Sequence, residues 1–220
     1  MMLPTKAEAW QKRPDEIRIK LKSDYPYKFT RRWFLFRNLT TWSSFLPKRF
    51  PADQPHRMIQ IGVFEGMDLV WCFQNILCHP KSNAIAIDPW AATTKLDATH
   101  MENVCARARH NLQKYRDQLS IVRGYSADVL GGMIAPDKVD NGRFDLIVID
   151  GDHNAPAVLS DANLALQLAK PGGWLLFDDY HNDIPKVDHV QKGVADFLEL
   201  HGDEVKFEWA HRYCVCFSKR

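Results

Sequence analysis

The chain reads as an α/β domain built on a mostly parallel sheet, and three patterns in its 220 residues predict this. From Arg57 onward, short apolar strands alternate with helical segments, the order that a parallel sheet with crossover helices requires. Within the intervening segments, apolar residues recur at three- and four-residue steps, as one face of a helix demands. The last two strand-like stretches are separated by Ala210 and His211 alone, too short a link for a crossover, so they predict an antiparallel hairpin.

The predicted strands are "MIQIG" from Met58, "AIAID" from Ala84, "LSIVRG" from Leu119, "DLIVID" from Asp145 and "WLLFDD" from Trp174. Between them, "DLVWCFQNIL", "MENVCARARHNLQKY", "SADVLGGMI" and "PAVLSDANLALQLA" carry the helical period. Pro156 suits a first helical turn, and "KPGG" (Lys170 to Gly173) stops that helix before the next strand. A further helix, "VDHVQKGVADFLELHG", precedes the terminal pair "EVKFEW" and "RYCVCFSK". Residues 1–57 differ in kind. "YKFTRRWFLFRNLTTWSSFLP" mixes aromatics with arginines, and Pro26, Pro47 and Pro51 act as breakers, which predicts short helices forming a basic aromatic cap or lid over the domain at 58–220.

A hydrophobic content of 45% in a chain of this length supports one ordinary core. The five cysteines (Cys72, Cys78, Cys105, Cys214, Cys216) form no C-x-x-C pair, against a disulfide framework or zinc knuckle and in keeping with a reducing cytoplasm. No apolar run approaches a membrane span. The net charge of +2 hides an asymmetry: residues 1–57 hold 13 Lys+Arg against 5 Asp+Glu, and the rest hold 16 against 22. The basic front suits an anionic substrate, whereas no nucleic-acid motif occurs.

"QIGVFEG" (Gln60 to Gly66) places G-x-x-x-G between the first strand and the first helix, where glycines let the backbone approach a ligand at a helix N-terminus. A dinucleotide site would read G-x-G-x-x-G, so a dehydrogenase is disfavoured. The second strand ends at Asp88, 26 residues after Gly62, about where an acid caps ribose hydroxyls. Together these predict a nucleoside-bearing ligand.

Two strands, "LIVID" and "WLLFDD", finish in aspartate. As parallel neighbours their ends would lie about 4.8 Å apart, bringing Asp150 to Asp178 and Asp179 in the crevice where such sheets bind ligands. Crowded anions raise one another's pKa or demand a cation, and oxygen ligands favour a hard divalent ion such as Mg²⁺. Consecutive strand residues point oppositely, so Asp178 and Asp179 can both ligate only where the strand has already broken. The bland alternative is a pair of turns with Asp and Gly chosen for backbone reasons. His153 beside them is a candidate base, with an ordinary pKa near ~6.5.

"IQIGVFEGMDLVW", "AIDPW", "FDLIVIDGDHNAPAVLSDANLALQLAKPGGWLLFDDY" and "VQKGVADFL", in this order, resemble the class I S-adenosylmethionine-dependent methyltransferases of the methyltransferase 24 type. The same pieces are similar to metal-dependent sugar O-methyltransferases and, more distantly, to catechol O-methyltransferase. The resemblance spans about residues 33–218 and implies a Rossmann-like, seven-stranded sheet with a terminal antiparallel hairpin. It implies S-adenosylmethionine as cofactor, with Gly62 and Gly66 bracketing its methionine end, Asp88 on the ribose, Trp90 near the adenine and Ser126 at the adenine edge. Gln60 stands among these residues where the family usually has an acid, and Asp68 where it often has serine. Asp150, Asp178 and Asp179 fall on the family's metal ligands. Asp152 matches a base position in one branch and His181 a histidine base in another, with His153 third. The implied activity is Mg²⁺-assisted methylation of a hydroxyl on a small molecule, a sugar or glycosylated metabolite. The alternatives are a metal-independent methyltransferase working through Asp152 or His181, and a non-catalytic binding module of the same fold.

Overall fold

The computed structural model describes residue 21 and residues 24–93, 96–134, 142–180 and 189–220. Seven strands form one sheet in the order β3-β2-β1-β4-β5-β7-β6. They are β1 (Arg57–Ile61), β2 (Asn83–Asp88), β3 (Leu119–Arg123), β4 (Phe144–Ile149), β5 (Ala169–Phe177), β6 (Val205–His211) and β7 (Cys214–Lys219). The first five pair in parallel, and β7 runs antiparallel to both β5 and β6. The helices are α1 (Trp33–Arg37), α2 (Leu39–Arg49), α3 (Met67–Asn75), α4 (Ala98–Leu112), α5 (Ser126–Ile134), α6 (Ala155–Leu168) and α7 (His189–His201).

Alternation along the strands sorts their side chains onto two faces. Met58, Ala84, Leu146 and Leu176 face one layer, where Phe34 of α1 and Trp42 of α2 meet α3 and α4. Ile59, Ile147 and Leu175 face the other, packed by Leu130 of α5, Val158 of α6 and Phe197 of α7. Because helices cover both faces, β4 is buried throughout, which is why "LIVI" reads as an unbroken apolar run, and the one charge in the strand, Asp145, is met by the Arg57 amide and Lys170. Helix starts follow local chemistry. Asp97 and Asn154 accept hydrogen bonds from the His100 and Ala157 amides at the starts of α4 and α6, and Pro156 sits in the first turn of α6.

Three local expectations are corrected. Pro47 does not break the chain: it lies in the last turn of α2, which closes with the Phe50 amide donating to the Leu46 carbonyl. "KPGG" belongs to β5, which begins directly after Leu168. Its pairing with β4 is irregular between Phe144 and Leu146, and Gly172 takes φ +74° there. The hairpin turns at Arg212 and Tyr213, two residues later than expected, because Ala210 and His211 still pair with Val215 and Cys214 and Arg212 takes a left-handed φ of +53°.

The first helices share the core with the sheet, and no described helix is long and apolar enough to cross a membrane. Trp42 is fully buried, edge-on to Phe34 and Trp71. Trp42→Ala should therefore lower unfolding free energy by about 3–5 kcal/mol in urea denaturation. A loosely attached lid would show almost no change.

Candidate active site

The strand order reverses between β1 and β4, and the carboxyl ends of the strands there form the crevice in which open α/β sheets hold ligands. The loop after β1 is held in a conformation that glycine alone fits. Gly62 has φ +78°, and a β-carbon there would lie 1.8 Å from the Asp150 carbonyl oxygen. Gly66, at φ +76°, caps α3 against the Leu112 side chain. Phe64 between them also takes a positive φ, +50°, a conformation that costs energy outside glycine.

That cost is offset by bracing from β2. Asp88 accepts from the Val63 and Phe64 amides (2.9 and 3.0 Å) and from the Trp90 amide (2.7 Å). The Trp90 indole donates to the Phe64 carbonyl (3.0 Å), and its ring is 1% exposed. Asp88 and Trp90 thus first hold the loop. Any ribose hydroxyl must use the remaining lone pairs of Asp88, and the Trp90 ring is sealed in the core. The Gln60 side chain is fully buried; its amide donates to the Gly62 carbonyl (2.9 Å), while Oε1 has no partner among the described residues. Asp68, in the first turn of α3, is pushed up to about 7 by desolvation, with Asp178 and Asp88 adding to the rise.

Glu65, 2% exposed, is the loop's link to the N-terminal segment. It accepts from the Thr30 amide (2.6 Å), the Thr30 hydroxyl (2.7 Å), the Arg31 amide (3.3 Å) and Arg107 Nε of α4 (2.6 Å). Asn111 adds a second tie, donating to the Glu65 carbonyl and accepting from the Lys28 amide.

On the other side of the switch point, the Asp150 amide donates to the Ile61 carbonyl (2.9 Å), joining the end of β4 to β1. His153 stands between two carboxylates, with Nε2 3.6 Å from Asp150 Oδ1 and Nδ1 3.6 Å from Asp179 Oδ2. One donor atom each from Asp150, His153 and Asp179 lies within 4.8 Å of the others, a spacing that one metal ion could span. The strand does break before its acids: β5 ends at Phe177, and Asp179 adopts φ +54°. Consequently the two neighbours part. Asp179 turns to His153 and to Arg37 Nη1 (2.7 Å), whose guanidinium also lies 5.0 Å from the Tyr213 ring centre. Asp178 turns inward, accepting from Asn38 Nδ2, the Asp179 amide (2.8 Å) and the Cys214 thiol (3.4 Å).

The charges respond to this crowding. Desolvation, then the Asp178 charge, lifts Asp150 well above the usual carboxylate range, and the Asp178 carboxyl is pushed up to about 6 by burial and by Asp179. His153 is pushed up to about 9, chiefly by its contact with Asp150, whose own carboxyl is raised, so this pair holds on to a proton between them. Asp152 is exposed and accepts from the Asn154 amide (3.0 Å), bracing the turn into α6. His181 lies outside the described residues.

Ser126 opens α5 half-buried and hydrogen-bonds Asp161, which lies 2% exposed on the buried face of α6. Sequence reasoning missed Asp161, Glu65, Asn38 and Arg37. A signal for Asp161 existed, because a charge three residues after Val158 and four before Ala165 interrupts an apolar helical stripe. Glu65, in a glycine loop, carries no such local mark.

An open sheet in this order, with a glycine loop after β1 and an acid at the end of β2, is that of a class I methyltransferase. The chain belongs to the methyltransferase 24 family, whose model, described as "Methyltransferase domain", matches residues 59–180. An uncharacterized protein of Acanthamoeba polyphaga mimivirus is 33% identical over 156 residues, covering 68% of this chain; the chain spans about 64% of that relative's length. Two solved structures share the fold. A candidate O-methyltransferase from Klebsiella pneumoniae is 20% identical, covers 96% of this chain and 92% of its own, and superimposes with a TM-score of 0.56. The O-methyltransferase from Bacillus cereus in complex with SAH is 18% identical, covers 100% and 94%, and has a TM-score of 0.58.

Two measurements check this geometry. Glu65→Ala leaves the Arg107 guanidinium without its buried partner and should cost about 3–5 kcal/mol in urea denaturation. Asp161 is pushed up to about 6 by burial, so the folded state binds its proton more tightly than the unfolded chain, whose value is near 3.8. Its contribution to stability is therefore present at low pH and lost as pH climbs from about 4 to about 6. Asp161→Asn should flatten that slope and leave the protein on the order of 2 kcal/mol more stable at pH 7, as read from denaturation midpoints across the window.

Proposed function

We propose that the chain transfers a methyl group from S-adenosylmethionine to a hydroxyl of a sugar or glycosylated small molecule, with a divalent cation such as Mg²⁺ at Asp150, Asp178 and Asp179. One observation carries this reading: the approach of Asp150, His153 and Asp179 at the strand ends, directly against Gly62 of the glycine loop. The donor half is supported by the SAH held by the Bacillus cereus neighbour, SAH being the spent form of S-adenosylmethionine. The unpartnered Gln60 Oε1 suits an ammonium group, which the cofactor carries at its amino-acid end beside a cationic sulfonium, and an acidic crevice favours that charge.

A neutral hydroxyl is a poor nucleophile, so the site must orient it in line with the methyl carbon and remove its proton. A divalent cation, when bound, lowers the pKa of a coordinated hydroxyl. Asp150 and Asp179 have the donor chemistry and spacing for a hard ion. Asp178, engaged by Asn38 and Cys214, would hold its place mainly through the buried hydrogen bonds around it. Asp152, exposed and two residues after Asp150, would take the proton, and His153 would be a second acceptor wherever a cation relieves it of its two carboxylates. A specific observation favours a metal-independent variant of the same reaction: His153 and Arg37 already balance the charges of Asp150 and Asp179. The five free cysteines suit the reducing cytoplasm.

Titration calorimetry with S-adenosylmethionine should register binding, and the absence of heat would sink the donor half. With labelled S-adenosylmethionine and a panel of methyl glycosides as acceptors, chelation should abolish transfer and Mg²⁺ restore it. Asp150→Asn should cost at least about a hundredfold in turnover. Transfer indifferent to chelator would establish the metal-independent variant instead.

A further inference from the structure

Trp33 is the least explained large side chain near the crevice. It opens α1 with 43% of its surface exposed, whereas Phe34 and Leu35, its neighbours in the helix, are buried in the core. Its indole lies 4.9 Å, centre to centre, from the ring of Phe64, the residue held at positive φ in the glycine loop. Four residues on, and therefore on the same face one turn away, Arg37 binds Asp179. One short helix thus touches the cofactor loop at one end and the acidic cluster at the other. The distance along its axis between those two residues is about 6 Å, close to the separation of two hydroxyl oxygens on opposite carbons of a six-membered ring.

We propose that Trp33 is the platform on which the methyl acceptor lies: a six-membered ring with a flat apolar face, stacked on the indole so that a ring hydroxyl reaches toward Asp179 and Arg37. The inference rests on the methyl-transfer reading above and narrows its acceptor to cyclic compounds. An exposed indole gains by covering its face with polarised C–H groups or a second π-system. Two chemistries offer such a face, the C–H side of a pyranose and the plane of a phenolic ring. Neither is available in an open-chain polyol with the same hydroxyls. The platform's position is not left to a free loop, because Thr30 and Arg31, directly ahead of it, are fastened to Glu65.

The test uses the full chain saturated with SAH and saturation-transfer NMR with four probes: methyl α-D-mannopyranoside, methyl α-L-rhamnopyranoside, catechol and the open-chain control sorbitol. Ring probes should bind and sorbitol should not, and the favoured ring separates the sugar source from the phenolic one. Trp33→Ala should weaken ring binding by about tenfold or more, and Trp33→Phe should restore most of it, while the SAH affinity of both variants stays within about threefold of wild type. Ring binding that is unchanged in Trp33→Ala, equal to that of sorbitol, or absent from protein that binds SAH overturns the proposal alone. Failure of the wild-type chain to bind SAH overturns the reading beneath it as well.

Discussion

Glu65 puts a carboxylate into the middle of the glycine loop, and donors from two distant segments close on it. Removing such a charge from water costs several kcal/mol, which only a full set of hydrogen bonds to the ionised form can offset. Two backbone amides, a hydroxyl and a guanidinium supply that set. Because the acceptor is in the loop and the donors are in the N-terminal segment and α4, satisfying the charge forces three pieces of chain into one arrangement. The seating of the N-terminal segment on the loop that Asp88 and Trp90 brace, and with it the entry into α1, which carries Trp33 and Arg37, follows from it.

Beyond that anchor, the crevice is organised by how few cations serve many acids. Asp68, Asp88, Asp150, Asp178 and Asp179 gather at the strand ends, and the described side chains that offset them are mainly Arg37, His153 and neutral donors. The fold accommodates the excess in three ways. Asp88 is neutralised in effect by backbone amides, Asp178 is driven toward its protonated form by burial, and Asp150 shares His153 with Asp179. A crevice balanced this way is receptive to any positively charged guest, whether sulfonium, ammonium or metal, and unreceptive to a polyphosphate.

Much of the sheet is legible in the sequence because parallel strands covered on both faces are apolar along nearly all their length: "LIVI" shows this directly, and "MIQI" departs from it only at the buried Gln60. The strand-end acids are legible for a related reason: Asp150 and Asp178 are charges where an apolar run stops. What separates Asp178 from Asp179 is not legible, since it depends on one left-handed φ after Phe177 that no local pattern announces. Glu65 is hidden for a different reason. Its partners Thr30 and Arg107 lie 35 and 42 residues away, and an acid in a loop looks solvated until the tertiary fold surrounds it. The hairpin was displaced by two residues because strand pairing extended through Ala210 and His211, an outcome set by β7 and not by the composition of the turn.

The contact between Gly62 and the Asp150 carbonyl has a consequence for how such a protein can change over time. With no room for a single added carbon, the segment that would hold the donor and the segment that would hold the acceptor's counter-charge share one surface. A drift in the backbone of either is transmitted to the other without attenuation. On the proposed reading, changes in acceptor preference would therefore be most accessible through α1 and the β6–β7 turn, where Arg37 and Tyr213 border the crevice from outside this seam. Strand ends exchanged between relatives would have to travel as a matched pair.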